Sequence, residues 1–506
     1  MTRLSVLLAS EAAYPFERND VSTWCHTLAT ELPEVDFTLL AVTKHPYVAP
    51  AYDVPVNVHG LITVPFWGTD DPAEFGGHES FADYLRRRSS MTDADLEHDY
   101  LPHYKQFLRE VTRPTLPVRG LGVVLLQMHL HLRYYDYRQT QTHAAVWDAF
   151  VSVMRQAWEQ RHPAEPAPSI GELAKAWRLL GRLMLPLAVD VPQVALAHSA
   201  AAGFCGLPCV MAKLRHRVPY VLTEHAVYVR EQYLTAARDL ASPFIRWFLF
   251  RLVNTIADVN YAMADQVVPV CDFNARWEQR RGVDASRIRR IYNGLDPAGF
   301  PRTSREDHAR PTVVSIGDML PLKGQLDLIE AASLVRRTVP DVAFRFHGTV
   351  VDESYARQCR DLARALELGD AVTFGPTPTD YASVLRQGDV VAVPSVSDSI
   401  PYSLVGAMFS EGAIVATDVG GMREALGDAG LIVPARDPVS MAEAVADLLR
   451  SPDSRRRLGE AARERALQIF TLAGFSDAYR STYGSLLGRT ELAAQDSYDE
   501  PAAAIA

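Results

Sequence analysis

The chain has 506 residues, of which 48% are apolar and 22% charged, a composition that excludes a disordered or fibrous protein. Lys and Arg number 51 against 61 Asp and Glu, and the net charge of -10 argues against nucleic acid or an anionic membrane as the main partner. At roughly 150 residues per domain, this length predicts two or three domains.

The five cysteines predict neither a disulfide framework nor a zinc site, because no paired Cys-x-x-Cys pattern occurs. A reducing compartment, the cytoplasm, fits this usage best. Residues 4–9 are a short apolar run that soon meets a glutamate, which favours a first strand over a signal peptide. Residues 243–257 form the most apolar helix candidate, but Arg246 and Arg251 interrupt it, so we predict no transmembrane segment and leave peripheral membrane contact open.

The first half opens with a strand at 4–9, a polar loop, a helix with apolar residues at helical spacing, and a second strand at 36–42. This order predicts a parallel sheet covered by helices. From about 74 to 185 helical segments take over; one of them, 93–111, begins at the capping pair Thr92 and Asp95. We interpret this stretch as a helical insertion. Strands at 194–197, 220–223 and 266–270 then complete the sheet.

The second half begins after the turn pair Asn293-Gly294 and repeats strand and helix regularly. Strands are predicted at 312–316 and 343–346, with helices at 324–336 and 355–366. Further strands are expected at Val372, Val390, Ile414 and Leu431. The fold class is therefore α/β, with two doubly wound sheets in tandem, and a ligand is expected beyond the carboxyl ends of the strands, in a cleft between them.

Short motifs follow one another along both halves of the chain. They are Tyr14-Pro15-Phe16, Val21-Ser22-x-Trp24, Pro65-Phe66-Trp67-Gly68, His198-Ser199, Thr223-Glu224-His225, Tyr228, Arg230-Glu231, Tyr292-Asn293-Gly294-Leu295-Asp296, Phe300, Pro321-x-Lys323-Gly324, Pro394-Ser395, Ala407-Met408 and Val415-Ala416-Thr417-Asp418-Val419-Gly420-Gly421. In this order and spacing they resemble the GT-B glycosyltransferases, specifically retaining family 4 and its Pel exopolysaccharide type. The resemblance covers nearly the whole chain.

The resemblance implies two facing Rossmann-like domains. The first, 1–290, would be the acceptor-side domain with the insertion at about 74–185, and the second, 291–470, the nucleotide-sugar domain. A helix at 471–490 would cross back to the first domain, and 491–506 would be a disordered tail.

The implied reaction transfers a sugar from a nucleotide diphosphate donor to an acceptor hydroxyl with retention. It needs no metal and no cofactor beyond the nucleotide sugar, with a UDP-sugar favoured. The partners would be that donor and a glycan or small-molecule acceptor. Charge builds on the departing diphosphate, so cations and backbone N–H groups must face it.

Residue roles follow from the matched motifs. Lys323 would reach the donor phosphates, and His225 and Asp398 would hold the sugar as the catalytic pair. The wider set of donor-binding positions is Asp318, Asn19, Asp20, His198, Gly348, Ser403, Leu404 and Gly406.

This sequence departs from the family pattern at four places. Asn19 and Asp20 stand where paired glycines approach the diphosphate, and Asp318 stands where the family has an arginine. The two glutamates of the family become Asp398 and Gly406, and a glycine cannot accept a hydrogen bond from ribose hydroxyls. Two functions therefore stay open: a transferase with an atypical donor site, or a non-catalytic GT-B protein that binds a partner or a sugar.

A histidine pair is a candidate metal site in this sequence. His129-x-His131 would place both rings on one side of a strand, but no acidic or cysteine ligand pattern accompanies them. We predict no metal site.

Overall fold

The computed structural model describes residues 3–11, 14–68, 80–239, 242–302 and 310–496. Two compact units make up this part of the chain. Unit 1 contains the described residues up to Pro269, the segment Trp277–Arg289, and the described residues from Arg480 onward. Unit 2 contains Val270–Arg276 and Arg290–Tyr479.

Unit 1 is built on a six-stranded parallel sheet with strand order β3-β2-β1-β4-β5-β6. The central strands are buried on both faces, because helices cover a parallel sheet on each side. The strands are β1 Leu4–Glu11, β2 Val35–Thr43, β3 Val58–Pro65, β4 Leu196–Ser199, β5 Tyr220–Glu224 and β6 Gln266–Pro269.

Helices account for most of the remaining described residues of unit 1. The order reverses between β1 and β4, so the carboxyl ends of these two strands form the switch point of the sheet. The helices are α1 Asp20–Glu31, α2 Phe81–Ser90, α3 Asp93–Asp95, α4 Leu101–Thr112, α5 Val118–Tyr134, α6 Tyr137–Thr142, α7 Ala144–Arg161, α8 Ile170–Leu183, α9 Gly206–His216, α10 Tyr228–Asp239, α11 Pro243–Met263 and α12 Asp272–Arg280, the last shared with unit 2.

The described residues between β3 and β4 are mostly helical, while the expected start of the insertion at about 74 lies outside the described residues. Thr92 and Asp95 form the predicted capping box, and a π-helical turn, Leu96–Tyr100, joins α3 to α4. A large apolar cluster, which includes Tyr104, Phe107 and Phe150, packs these helices against α11 and the sheet. The insertion therefore shares one core with the sheet.

Unit 2 contains a second six-stranded parallel sheet, of order β12-β11-β10-β7-β8-β9, whose switch point lies between β7 and β10. The strands are β7 Thr312–Ile316, β8 Ala343–His347, β9 Val372–Gly375, β10 Val390–Val393, β11 Ile414–Thr417 and β12 Leu431–Val433. The helices are α13 Gln325–Val335, α14 Glu353–Ala365, α15 Tyr381–Arg386, α16 Tyr402–Phe409, α17 Met422–Leu426, α18 Pro438–Arg450, α19 Pro452–Ile469 and α20 Leu472–Asp496, which ends in unit 1.

The predicted α/β fold class is confirmed, and three local expectations are corrected. Strand β3 was not predicted as a strand. His129 and His131 lie on helix α5 instead of a strand, so their rings do not share one face. Helix α20 continues to Asp496, into the predicted tail, while positions 497–506 of that tail lie outside the described residues.

All five cysteines are buried, and none of them forms a disulfide. No group of three or more metal-ligating side chains occurs among the described residues. Within the same part of the chain, no helix is long and apolar enough to cross a membrane.

Candidate functional site

The predicted site residues fall into two groups, one in each unit. In unit 2, Lys323 lies in a short turn after β7, and Asp398 lies in the loop after β10. The two form an ion pair with 2.6 Å between Lys323 Nζ and Asp398 Oδ2, and both side chains are largely buried. Because β7 and β10 are neighbours, the pair sits at the switch point of the sheet, where doubly wound folds bind ligands.

Glycines allow the loops at this edge to approach one another. Gly324 follows Lys323 with φ of +70°, and a Cβ there would lie 2.0 Å from the carbonyl oxygen of Pro394. A Cβ on Gly348, which follows β8, would lie 2.1 Å from the carbonyl oxygen of Gly317. Both loops are therefore held by backbone contacts that a larger residue would break.

Asp318 has a structural partner that the sequence did not reveal. Its Oδ1 accepts a hydrogen bond of 3.2 Å from the backbone N–H of Thr349, and the side chain of Gln325 donates to its backbone carbonyl at 2.9 Å. The carboxylate thus connects the loops that follow β7 and β8, which gives a physical reason for an aspartate at this position.

The residues of helix α16 differ in what they can contribute. Ser403 lies in its first turn, where backbone N–H groups have no side-chain cap, an arrangement that suits an anion. Leu404 is fully buried and supplies only its backbone. Gly406 is also buried, and a Cβ there would contact the ring of Phe300 at 3.2 Å. Position 406 therefore faces the apolar core of unit 2.

Three polar residues near Asp398 were not predicted as site residues. Ser395 Oγ donates to Asp398 Oδ2 at 3.1 Å, and Thr417 Oγ1 donates to the carbonyl oxygen of Ser395 at 2.6 Å. Ser399 Oγ donates to Asn274 Oδ1 at 3.2 Å. Pro394-Ser395 and Thr417 belong to the motifs that carry the family resemblance, but the motifs alone assign them no role.

In unit 1, His225 follows β5 directly and packs edge-on against Trp24, with 4.7 Å between the ring centroids. Both ring nitrogens are buried, and neither has a hydrogen-bond partner among the described residues. Burial lowers the pKa of His225 to about 3, so the ring is neutral. A buried polar group without a partner is costly, and a ligand hydroxyl would satisfy it.

His198, at the end of β4, is in a different situation. Its Nδ1 lies 2.7 Å from the hydroxyl of Tyr483 on α20, and its Nε2 lies 2.8 Å from Thr223 Oγ1. Burial and, to a smaller extent, the nearby His225 lower its pKa to about 3. Both ring nitrogens therefore serve internal hydrogen bonds that join β4 to β5 and α20.

Asn19 and Asp20 begin helix α1. Asn19 is its N-cap and accepts a 2.8 Å hydrogen bond from the backbone N–H of Ser22, while Asp20 lies in the first turn. An N-cap asparagine and a first-turn aspartate both stabilise a helix start, so these side chains have a local reason to replace glycine.

Buried carboxylates form a further polar network in unit 1. Glu11 accepts hydrogen bonds of 2.9 Å from the Tyr228 hydroxyl and from the N–H of Phe204. Glu224, the residue before His225, accepts a hydrogen bond from the hydroxyl of Tyr261. Burial raises the pKa of both carboxyls. Sequence reasoning did not identify this network.

The buried carboxyl group of Glu278 makes the stability of the protein depend on pH. It is fully buried, and burial together with the nearby Glu224 raises its pKa. The folded protein therefore holds this proton more tightly than the unfolded chain, in which the pKa of a glutamate is near 4.5. As a consequence, the free energy of unfolding falls as the pH rises above 4.5. Glu278→Gln is therefore expected to stabilise the protein by about 1–3 kcal/mol at pH 8 and to have little effect near pH 4.5.

Thermal unfolding at the two pH values tests this expectation. Glu159→Gln, at a side chain that is 56% exposed, is the matched control and should change neither melting temperature. Equal shifts for Glu278→Gln at pH 4.5 and pH 8 would contradict the assigned titration.

Sequence comparison separates the two halves of the chain. Residues 4–286, more than half of the total, match the family described as "Domain of unknown function (DUF3492)". The chain belongs to the DUF3492 family. Beyond its DUF3492 segment, residues 300–465 match "Glycosyl transferases group 1".

Curated relatives of this DUF3492 member carry names of sugar-transferring enzymes. The D-inositol 3-phosphate glycosyltransferase of Gordonia bronchialis is 29% identical over 308 residues, which cover 56% of this chain and 66% of that protein. The alpha-maltose-1-phosphate synthase of Mycobacterium tuberculosis is 25% identical over 354 residues, 63% and 86% of the two chains. The chain spans between 47% and 66% of the length of the D-inositol 3-phosphate glycosyltransferases compared.

Solved structures confirm the GT-B fold of this DUF3492 protein. Sucrose-phosphate synthase (tll1590) from Thermosynechococcus elongatus superposes with a TM-score of 0.59 at 16% identity, covering 96% of this chain and all of that one. Anabaena Alr3699/HepE, solved in complex with UDP and glucose, gives a TM-score of 0.58 at 12% identity over the same shares. The Pel exopolysaccharide type stays a prediction.

Proposed function

We propose that this protein is a retaining glycosyltransferase that moves a sugar from a nucleoside diphosphate donor to an acceptor hydroxyl. The observation that carries the proposal is the Lys323–Asp398 ion pair at the switch point between β7 and β10. It lies within the segment that matches group 1 glycosyl transferases. Charge-assisted contacts from lysine to phosphate are what a departing diphosphate requires.

The ion pair gives each partner a role. In the absence of the donor, Asp398 neutralises the charge of Lys323. When the donor binds, Lys323 would form an ion pair with the phosphates, and the Asp398 carboxylate would accept hydrogen bonds from sugar hydroxyls. His225 is neutral and therefore contributes a hydrogen bond to the sugar without adding a charge. Backbone N–H groups in the first turn of α16, around Ser403, would add to phosphate binding.

UDP is the proposed donor nucleotide, because Alr3699/HepE has been solved with UDP and with UDP-glucose and shares this fold. The acceptor is proposed to be a glycan or a small-molecule hydroxyl, with a polysaccharide suggested by the Pel-type motifs. The proposed location is the cytoplasm, since five cysteines without a disulfide suit a reducing compartment.

Calorimetric titration of the full chain with UDP, GDP and ADP tests the proposal, followed by turnover of the sugar form of the nucleotide that binds. Three results together would support the proposal. One nucleotide binds with micromolar affinity, the same nucleotide is released from its sugar form during turnover, and the product has the same anomeric configuration as the donor. A folded chain that binds none of the three would overturn it in favour of the non-catalytic alternative.

Asp318 supplies a test of donor electrostatics. Asp318→Asn removes the negative charge and keeps an oxygen that can accept from Thr349 N–H. If the diphosphate lies near this position, as the family arginine implies, affinity for UDP should rise about 3- to 10-fold, because a repulsive charge is removed. Titration calorimetry at two salt concentrations measures the gain, which should shrink at high salt. Asp361→Asn, at an exposed aspartate of α14, is the control. Unchanged affinity for Asp318→Asn would place the phosphates elsewhere.

A further inference from the structure

A cavity of about 940 Å³ opens in unit 1 and contains none of the predicted site residues. Its walls are the start of α5, the second half of α11, the end of α12 and the turn that follows α12. It is therefore formed entirely by helix ends and a turn of one compact unit.

Four arginines and a single carboxylate line this cavity: Arg119, Arg280, Arg281, Arg287 and Asp258. Arg281 forms an ion pair with Asp258. Among the described residues, none of the other three arginines forms an ion pair with a carboxylate. Arg119 and Arg280 therefore bring two positive charges without an ion pair to this concave space, beside Arg287, whose charge Asp265 and Asp284 offset in part, in a chain whose net charge is -10.

Two of these guanidinium groups are held in place. Arg287 donates from one nitrogen to the backbone carbonyls of Ala264, at 2.6 Å, and Tyr261, at 3.1 Å. Arg280 lies over the ring of Trp277, 5.7 Å from its centroid. Burial, together with the positive charge of Arg119, lowers the pKa of Arg287, although Asp265 and Asp284 act in the opposite direction. The arginines are thus kept close together despite their mutual repulsion.

The start of helix α5 adds to the same field. Its N-cap is Pro117, which offers no side-chain acceptor to the first N–H groups of this helix. Val118 and Arg119 line the cavity from this end. The positive end of a 17-residue helix therefore faces the same space as the arginines.

We propose that this cavity binds a phosphate-bearing anion at a site separate from the proposed donor site. Guanidinium groups bind phosphate through two parallel hydrogen bonds, and a cluster of them is the arrangement that recognises phosphate groups. The volume exceeds what a single inorganic phosphate fills, so the ligand is an organic phosphate or a diphosphate. A soluble phosphate ester and a phospholipid headgroup share this chemistry. The inference does not depend on the glycosyltransferase proposal.

The test uses the full chain and a charge-reversal pair. Arg119→Glu and Arg280→Glu are combined, since neither side chain forms an ion pair and both are exposed. Arg337→Glu with Arg457→Glu, two exposed arginines of unit 2, changes the net charge by the same amount and is the control. Pyrophosphate is the first probe, and hydrogen exchange localises its binding.

With pyrophosphate, slower exchange is expected at residues 118–121 and 277–287 of the wild type and of the control pair. The Arg119→Glu/Arg280→Glu pair should lose this protection and require at least 10-fold more pyrophosphate. Absence of protection in these segments at millimolar pyrophosphate, or an equal loss in the control pair, would overturn the proposal.

A second set of probes distinguishes the two sources of phosphate. Fructose 1,6-bisphosphate represents a soluble ester, and phosphatidylcholine vesicles with or without phosphatidic acid represent a lipid headgroup. If fructose 1,6-bisphosphate protects the same segments, the site is supported and its ligand is a soluble phosphate ester. If only vesicles that contain phosphatidic acid protect them, the site is supported and its ligand is a lipid headgroup. If neither probe protects these segments, the proposal fails.

Discussion

Lys323→Ala is expected to weaken binding of UDP by about 30- to 150-fold, the equivalent of about 2–3 kcal/mol. Two effects combine. The substitution removes the cation that is proposed to contact the phosphates, and it leaves Asp398, until then paired at 2.6 Å, as an uncompensated negative charge beside them. Calorimetric titration measures the loss.

Matched variants separate this contact from a loss of folding. Lys175→Ala, at an exposed lysine of α8, should bind UDP as the wild type does. Asp398 keeps its hydrogen bond from Ser395 Oγ in the Lys323→Ala protein, so the fold should persist. If a folded Lys323→Ala protein binds UDP with unchanged affinity, Lys323 is not the phosphate contact.

His225→Phe is expected to lower the rate of sugar transfer by about 100-fold or more, with little change in UDP binding. Phenylalanine keeps an aromatic ring beside Trp24, one atom larger than imidazole, and removes the two nitrogens, which have no partner among the described residues. Stability should therefore hold or rise, because an unsatisfied buried polar group is removed. Steady-state kinetics with the donor sugar, together with thermal unfolding, provide both measurements.

His198→Phe is the contrasting variant. It leaves the Tyr483 hydroxyl and Thr223 Oγ1 without the partners that they have at 2.7 and 2.8 Å. It should therefore lower the free energy of unfolding by about 1–3 kcal/mol. A His225→Phe protein that is as destabilised as His198→Phe and transfers sugar normally would show that His225 is also a structural histidine.

The two histidines show what the sequence can and cannot provide. Both stand at the ends of predicted strands, and their positions follow from apolar runs that parallel sheets require. Their different environments depend on residues far away in the chain. His198 meets Tyr483, which is 285 positions later, whereas His225 meets the ring of Trp24. Such contacts leave no local pattern to read.

The same reasoning applies to Lys323 and Asp398. The turn and the loop that carry them were predictable from strand and glycine patterns, but the ion pair joins residues 75 positions apart and depends on β7 and β10 being neighbours. Strand β3 was missed because it is an edge strand that contains a glycine and ends in a proline. Gly406 was read as a lost hydrogen-bond acceptor, although its neighbour in the fold is Phe300.

Unit 1 is assembled from segments that lie far apart in the sequence, which affects the order in which its parts can fold during translation. Arg480 of α20 pairs with Glu34 at 2.6 Å and also donates to the carbonyl oxygen of Glu31, and Tyr483 reaches His198. These anchors are synthesised after all of unit 2, so the sheet of unit 1 acquires α20 only once unit 2 has been synthesised. In a nascent chain that lacks α20, His198 Nδ1 has no contact with Tyr483, although Nε2 keeps Thr223, and the surface of unit 1 that the buried ring of Tyr483 covers stays open to chaperones.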